Sequence, residues 1–279
     1  MKTRGSLAIV AAATLMGLFF GNAMGSVIAD LTQSPIKKGQ FDWQSLVMAL
    51  LLGGLSAWVA YRAVSRAEAT TAARPATPDG TIQDPALARF LFTDPRAAAL
   101  WLPVRLYVGW DWLEAGLHKL VPSAFIDAKT GLLSKSPSWL DSSAGILGFW
   151  KNGVGTAEKA GLANYDWWKG FLQMLIDSHA DVWFAKVIVL GELAVGLGLI
   201  FGALVGIAAA GGMLMNLSFM LSGSTSSNPV LAVLAILLIM AWKVAGHIGL
   251  DRVLLPALGT PWQPGKIVRH TAPAVPARS

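Results

Sequence analysis

Residues 105–120 read RLYVGWDWLEAGLHKL, a segment apolar enough to belong to a membrane-spanning helix. It nevertheless carries five ionisable side chains: Arg105, Asp111, Glu114, His118 and Lys119. A helical wheel of about 100° per residue places four of the polar side chains within an arc of about 60°: Tyr107, Asp111, Glu114 and His118. Since a charge that faces lipid is costly, we predict that this polar stripe faces the interior of a helix bundle.

The composition of the whole chain is that of an integral membrane protein. Of its 279 residues, 54% are hydrophobic and 14% are charged, and the mean hydropathy is +0.54. The net charge of +6 does not indicate a nucleic-acid partner, because the basic residues lie between apolar runs and not on a solvated face. The absence of cysteine excludes disulfides, thiolate metal sites and thiol nucleophiles.

Six apolar segments have about the length that a helix needs to cross a membrane. They are residues 6–29, 44–61, 99–119, 183–202, 203–222 and 230–248. The fourth and fifth are nearly continuous, so we predict a tight helical hairpin at Phe201-Gly202. The expected fold is an all-α integral membrane protein, in which two additional transmembrane helices precede a C-terminal four-helix transmembrane bundle.

The chain divides into four parts on composition. Residues 63–97 are rich in Ala, Thr and Pro, which predicts a linker. Residues 163–178 have apolar side chains at helical spacing, which predicts a helix that lies in the membrane interface or, alternatively, an aromatic belt. The parts are a two-helix anchor (1–62), a cytoplasmic linker (63–97), a four-helix module (98–257) with an outer interfacial helix at about 163–178, and a cytoplasmic tail (258–279).

The distribution of arginine predicts the orientation. With the N-terminus in the cytoplasm, all arginines lie on the cytoplasmic side or, for Arg105, in the inner part of a span, so we expect both termini of this multi-pass protein on the cytoplasmic side of the inner membrane. For the first span, a cleaved signal peptide is the alternative, because Lys2 and Arg4 precede an apolar stretch that ends in small residues.

The ionisable residues of the spans form two predicted clusters. The outer cluster combines Asp111, Glu114, His118 and Lys119 with three groups on later helices, and the inner one lies near the cytoplasmic boundary. The outer additions are Lys186, Glu192 near mid-span and Asn216 facing the cavity; the inner set is Arg105, Lys243, His247 and Asp251. Each cluster has a structural alternative. The outer cluster could be an ion-pair network that holds the helices together, and the inner cluster could be paired boundary charges that fix helix register.

No bound redox group is indicated by the sequence. His118 and His247 lie near opposite membrane surfaces and cannot ligate one haem iron. The sequence also lacks a GxGxxG motif after a strand, a P-loop and an HExxH motif. We therefore identify no haem, flavin or metal site.

Five ordered segments carry a resemblance to a known family. They are RLYVGWDWLEAGLHKL, YDWWKGFL, GELAVGLGLIFG, NLSFMLSGSTSSNP and AGHIGLDRVLLP, within residues 88–257. In this order they resemble the DoxX/DoxD family of membrane proteins, and within it the DoxD-type membrane subunit of thiosulfate:quinone oxidoreductase. The resemblance implies a four-helix bundle that oxidises thiosulfate to tetrathionate and reduces membrane quinone. The family also includes membrane partners of soluble redox proteins, so a second subunit or a redox partner is implied as well.

Roles for the candidate residues follow from what this reaction needs. A dianion requires fixed positive charge, and quinone reduction requires acids that deliver two protons. The catalytic candidates are Asp111, Glu114, His118 and Glu192, with Asp111 orienting His118 or joining the relay; the substrate-binding candidates are Arg105, Lys119, Lys186, Asn216 and Lys243. A non-catalytic scaffold that docks a redox partner is the alternative. Anion or proton transport is a third hypothesis, which the lack of inverted repeats disfavours.

Overall fold

The computed structural model describes residues 4–31, 43–68, 84–121, 124–126, 133–135 and 137–260, and these are almost wholly helical. Two three-residue strands, β1 (Ala124–Ile126) and β2 (Leu133–Lys135), pair antiparallel. The helices are α1 (Arg4–Leu31), α2 (Trp43–Glu68), α3 (Ala86–Thr93), α4 (Ala98–Leu120), α5 (Ala144–Val154), α6 (Asp166–Asp177), α7 (Asp181–Phe201), α8 (Val205–Leu221), α9 (Asn228–Met240), α10 (Trp242–Ala245) and α11 (Asp251–Leu258).

Within the described residues, three helices are long and apolar enough to cross a membrane. The qualifying segments are Ser6–Gly25, Gln44–Ser65 and Asp181–Phe201, and the apolar helices α8 and α9 are shorter. The helix α4 has 23 residues, but its ionisable side chains lower its hydropathy. Length and composition thus agree with a helical membrane protein.

The first two helices form a hairpin whose contact is made by glycine. A stripe of Gly17, Gly21 and Gly25 on α1 lies so close to the backbone of α2 that a Cβ atom at any of the three would clash with it. This hairpin also packs on the C-terminal helices, and the ring centroids of Phe20 and Tyr107 are 5.0 Å apart. The two N-terminal helices therefore share one hydrophobic core with the later helices.

The contact between α4 and α7 also depends on small residues. A Cβ atom at Gly109 would meet Gly196 and Ile200, and one at Gly116 would meet Leu193. Gly109 and Gly116 thus form a small-residue stripe through which α4 approaches α7 closely. Because α4 and α7 run antiparallel at this short distance, the polar side chains of α4 lie beside the middle of α7.

One predicted helix boundary is confirmed, and one predicted helix is wrong. The helix α7 ends at Phe201, and Gly202 adopts the left-handed conformation at φ 66° that the tight hairpin requires. The helix α9 begins at Asn228 with proline in its first turn. The expected single helix over 230–248 is instead broken at Ala241, and residues 246–250 form turns around two glycines. Lys243, His247 and Asp251 consequently do not share one continuous helix face.

The segments between the spans contain more helix than we predicted. The expected linker begins inside α2 and ends with α3 and a 3-10 turn at Pro95–Ala97; residues 69–83 lie outside the described residues, as does the expected tail from 261 onward. The helix α5 was not predicted. The helix expected at about 163–178 is α6, whose Leu172 and Leu175 are buried while Phe171 is 38% exposed.

Candidate functional site

A buried ion pair joins α4 to the middle of α7. Both carboxylate oxygens of Glu192 lie within hydrogen-bonding distance of the Lys119 ammonium, with Nζ to Oε1 at 2.9 Å and Nζ to Oε2 at 2.8 Å. The ammonium also donates to the carbonyl of Ala115 at 3.3 Å and lies 5.4 Å from the ring centroid of Trp139. The Lys119 side chain thus folds back along α4 from the last turn of that helix.

The two partners of this pair differ in exposure. The Glu192 side chain is 1% exposed and the Lys119 side chain is 22% exposed. The positive charge that we expected to attract a substrate anion is therefore already matched by a carboxylate. The pair connects a fully buried acid to the surface of the bundle through one lysine side chain.

Close to the same helices, the core contains polar atoms that have no partner among the described residues. Asn216 on α8 is fully buried, and neither its amide nitrogen nor its amide oxygen makes a hydrogen bond. The indole nitrogen of Trp112 on α4, a residue that is 3% exposed, is also without a partner. Such atoms are rare in folded proteins and cost about 1–3 kcal/mol each, so each one calls for an explanation.

Packing brings these atoms close to the ion pair. The indole nitrogen of Trp112 faces Gly212, one helical turn before Asn216, where a Cβ atom would lie 2.9 Å from it. On the other side, Gly191 of α7 packs on Met215 of α8. Because Glu192 and Asn216 directly follow these two packed residues, they lie at the same level of the bundle. We call the set of Trp112, Lys119, Glu192 and Asn216 the core polar site.

The remaining ionisable residues of α4 lie away from this pair. Asp111 accepts a hydrogen bond from the Ser227 hydroxyl at 3.3 Å, and Oε1 of Glu114 lies 3.8 Å from Nε2 of His118. The acid next to His118 is thus Glu114, one turn away, while Asp111 contacts Ser227. His118 is 59% exposed, and Lys186 on α7 is exposed as well.

Two members of the inner cluster, Arg105 and Asp251, bond to backbone atoms of segments that are distant in sequence. The buried Arg105 guanidinium donates to the backbone carbonyls of Ala245 at 3.1 Å and Ile248 at 3.0 Å. Asp251 accepts from the backbone amides of Leu204 at 2.5 Å and Val205 at 2.9 Å, at the start of α8. These bonds fasten the 245–251 segment over the turn between α7 and α8, and we call this arrangement the clasp.

Two clefts open at the clasp end of the bundle, which we call the arginine end because Arg62, Arg96 and Arg252 lie there. The larger has a volume of about 640 Å³ and lies between α2, the 3-10 turn and the 247–252 segment. The smaller, of about 230 Å³, is lined by Lys243 among others, and the Lys243 ammonium lies 5.8 Å from the ring centroid of Trp242. The structure thus separates Lys243 and Arg105 from the other candidates.

Sequence reasoning missed Trp112, Ser227 and the three arginines of the larger cleft as site residues. The signal for Trp112 is weak, because a tryptophan in a span is ordinarily a lipid-interface or core residue. Among the described residues, no group of three His, Asp or Glu side chains is placed to hold a metal ion. In comparisons with known proteins, the chain matches no family model, no curated protein and no solved structure.

Proposed function

We propose that the chain is a six-span protein of the inner membrane, with both termini in the cytoplasm, that passes electrons from thiosulfate to membrane quinone. The activity follows the resemblance of residues 88–257 to the DoxX/DoxD family. The observation that carries the proposal is the core polar site, in which a buried acid with a route to the surface lies level with unpartnered amide and indole groups.

The unpartnered groups of this site match the hydrogen-bonding needs of a quinone ring. A quinone oxygen accepts hydrogen bonds, for which the Asn216 amide nitrogen and the Trp112 indole nitrogen are donors. The quinol hydroxyl donates, and the Asn216 amide oxygen is a matching acceptor. A ligand that cycles between quinone and quinol would bond to the buried atoms that have no partner among the described residues. We therefore assign the quinone to the core polar site.

The ion pair supplies protons in this proposal. Oxidation of two thiosulfate ions forms the sulfur–sulfur bond of tetrathionate and releases two electrons, and the quinone takes up these electrons with two protons. The Lys119 ammonium passes its proton to Glu192 and Glu192 passes it on to the quinone, once for each of the two protons; Lys119, whose side chain is 22% exposed, is reprotonated from the surface after each transfer. The electrons pass either directly from sulfur or through a partner subunit.

The other candidates have supporting roles. Asp111, Glu114 and His118 form a polar stripe on α4 away from the pair, and the exposed Lys186 attracts the thiosulfate dianion. Arg105 and Lys243 are not part of this mechanism, because Arg105 donates to the clasp and Lys243 borders the smaller cleft.

The test is quinone reduction by the purified protein, with its associated subunits, in proteoliposomes that contain decylubiquinone or menaquinone. Glu192→Gln should lower the thiosulfate-dependent rate at least about 100-fold, the scale of an acid catalyst. Glu158→Gln is the matched control, because Glu158 is exposed and lies outside the helices. The rate of quinone reduction by this variant should stay unchanged. A wild-type protein that reduces neither quinone with thiosulfate would remove the proposal.

A scaffold function is the second candidate, and the surface of α6 favours it. Trp167 is 64% exposed, Met174 is 54% exposed and Phe171 is 38% exposed, so the helix presents an apolar face to its surroundings. A protein that only docks a redox partner should lose assembly on Trp167→Ala with Met174→Ala. Under this alternative, Glu192→Gln should leave the activity of the assembled complex intact.

A further inference from the structure

The larger cleft at the arginine end combines positive charge with an apolar wall. It has a volume of about 640 Å³ and is lined by Arg62, Arg96, His247 and Arg252 together with Trp58 and Val59. This volume lies within the range of about 300–1,000 Å³ that is typical of small-molecule sites. None of these residues belongs to the core polar site.

Two of the three arginines leave their charge available for a ligand. Arg96 forms a bidentate pair with Asp94, with Nε to Oδ1 at 3.0 Å and Nη2 to Oδ2 at 2.6 Å, and this hydrogen bonding raises the pKa of Arg96. Arg62 and Arg252 are exposed and form no ion pair with the described part of the chain. The cleft therefore carries two uncompensated guanidinium groups, beside the imidazole of His247.

The shape of α2 indicates what kind of anion fits. Leu51, Leu55, Trp58 and Arg62 follow one another at i, i+4, i+7 and i+11, so they share one face of the helix. The three apolar members are exposed by 62%, 43% and 56%, in that order. The Arg62 guanidinium lies 5.0 Å from the ring centroid of Trp58. An exposed apolar stripe thus runs along α2 and ends at the charged cleft.

We propose that the larger cleft is a binding site for an anionic phospholipid, with its phosphate between Arg62 and Arg252 and an acyl chain along the Leu51–Leu55–Trp58 stripe. Guanidinium groups bind phosphate oxygens in bidentate geometry, which suits the two exposed arginines. Basic pockets between the ends of transmembrane helices are the usual form of headgroup sites. A free phosphate ion would use the arginines but would have no use for the apolar stripe.

Binding of such a lipid has a structural consequence. The cleft is bordered by α2 on one side and by the 247–252 segment on the other. One headgroup that contacts Arg62 and Arg252 would therefore tie the N-terminal hairpin to the clasp. The lipid acts as a link between the two N-terminal helices and the later helices.

The experiment uses the full chain in nanodiscs of phosphatidylcholine mixed with phosphatidylglycerol, and counts the lipids retained on the protein by native mass spectrometry. The wild-type protein should retain phosphatidylglycerol in preference to phosphatidylcholine. Arg62→Gln with Arg252→Gln should lower this preference by roughly 25-fold, and each single substitution by about fivefold, since one arginine near an anionic membrane surface contributes about that factor.

The control removes the same charge elsewhere. Lys151→Gln with Lys159→Gln changes two exposed lysines in and after α5 and should leave the preference for phosphatidylglycerol unchanged. An equal loss in both double variants, or a wild-type protein without preference, would overturn the proposal. Displacement of the lipid by millimolar inorganic phosphate would assign the cleft to a free anion instead. Quinone reduction by the same variants reports separately on the core polar site.

Discussion

The clasp at the arginine end and the core polar site both bury polar side chains inside the helix bundle, but they differ in how those side chains are satisfied. In the clasp, Arg105 and Asp251 bond to backbone atoms of the 245–248 segment and of the start of α8. In the core polar site, Glu192 has a charged side chain as its partner, and Asn216 has none among the described residues.

The difference is one of degree, because Nε of the clasp residue Arg105 is also buried without a hydrogen-bond partner among the described residues, while both of its Nη atoms are bonded. A buried side chain that bonds to backbone carbonyls or amides completes the hydrogen bonding of chain segments that would otherwise be unsatisfied. A buried amide without partners lowers stability, so the structure keeps it at a cost that a ligand or a water molecule can offset. This comparison is consistent with our proposal, in which the clasp serves folding and the core polar site binds the quinone.

The largest expected effect is at the clasp. Arg105→Met should lower the free energy of unfolding by about 3 to 5 kcal/mol, because two buried carbonyls lose charged donors and Asp251 loses a nearby positive charge. The measurement is equilibrium unfolding by sodium dodecyl sulfate in mixed micelles. Arg252→Met, at the same end but exposed, should change stability by no more than about 0.5 kcal/mol. If both variants unfold alike, the clasp contributes nothing specific.

At the core polar site, removal of a buried polar side chain should raise the free energy of unfolding instead of lowering it. Asn216→Leu removes two unpartnered buried atoms and should raise the free energy of unfolding by about 1–2 kcal/mol, while the rate of quinone reduction falls. Asn228→Leu is the matched control, since Asn228 is 9% exposed and its amide nitrogen donates to Ser224 at 3.2 Å. This control should be destabilising. A destabilised Asn216→Leu protein would show that Asn216 is an ordinary core residue.

The helices themselves follow from patterns that depend on local sequence. Apolar segments of sufficient length, Gly202 in a left-handed conformation and the proline after Asn228 determine where α7, α8 and α9 begin and end. The break at Ala241 has no such local signal, because the segment from 230 to 245 is apolar except for Lys243 and contains neither glycine nor proline. The helix ends there because the residues after it bond to Arg105 and to the turn after α7, which are contacts distant in sequence.

Three of the four residues of the core polar site, Lys119, Glu192 and Asn216, are candidates from the sequence, but their pairings are not predictable from it. The wheel of α4 placed Asp111, Glu114 and His118 on one stripe, and the structure puts Glu114 beside His118, as helical spacing allows. That Lys119 pairs with Glu192 depends on the side chain folding back along α4, which a wheel does not represent. Likewise, no periodicity predicts that Asn216 lacks a partner, because that depends on every neighbour at once.

The smallest expected effect concerns a side-chain hydrogen bond between α6 and the end of α8, outside both the clasp and the core polar site. The indole nitrogen of Trp168 on α6 donates to the Ser222 hydroxyl at 2.9 Å, and that hydroxyl donates to the Ser218 carbonyl at 2.9 Å. Trp168→Phe should lower the free energy of unfolding by about 1 kcal/mol, the contribution of one neutral hydrogen bond. The measurement is the same detergent unfolding used for the clasp.

Trp167→Phe is the control for this contact, because Trp167 is the next residue of α6 and is 64% exposed. Its stability should change by no more than about 0.5 kcal/mol. Equal losses in the two variants would mean that ring area, and not the bond to Ser222, attaches α6 to α8. A loss confined to Trp168→Phe would place this contact with the clasp, as a partnered polar group that stabilises the fold.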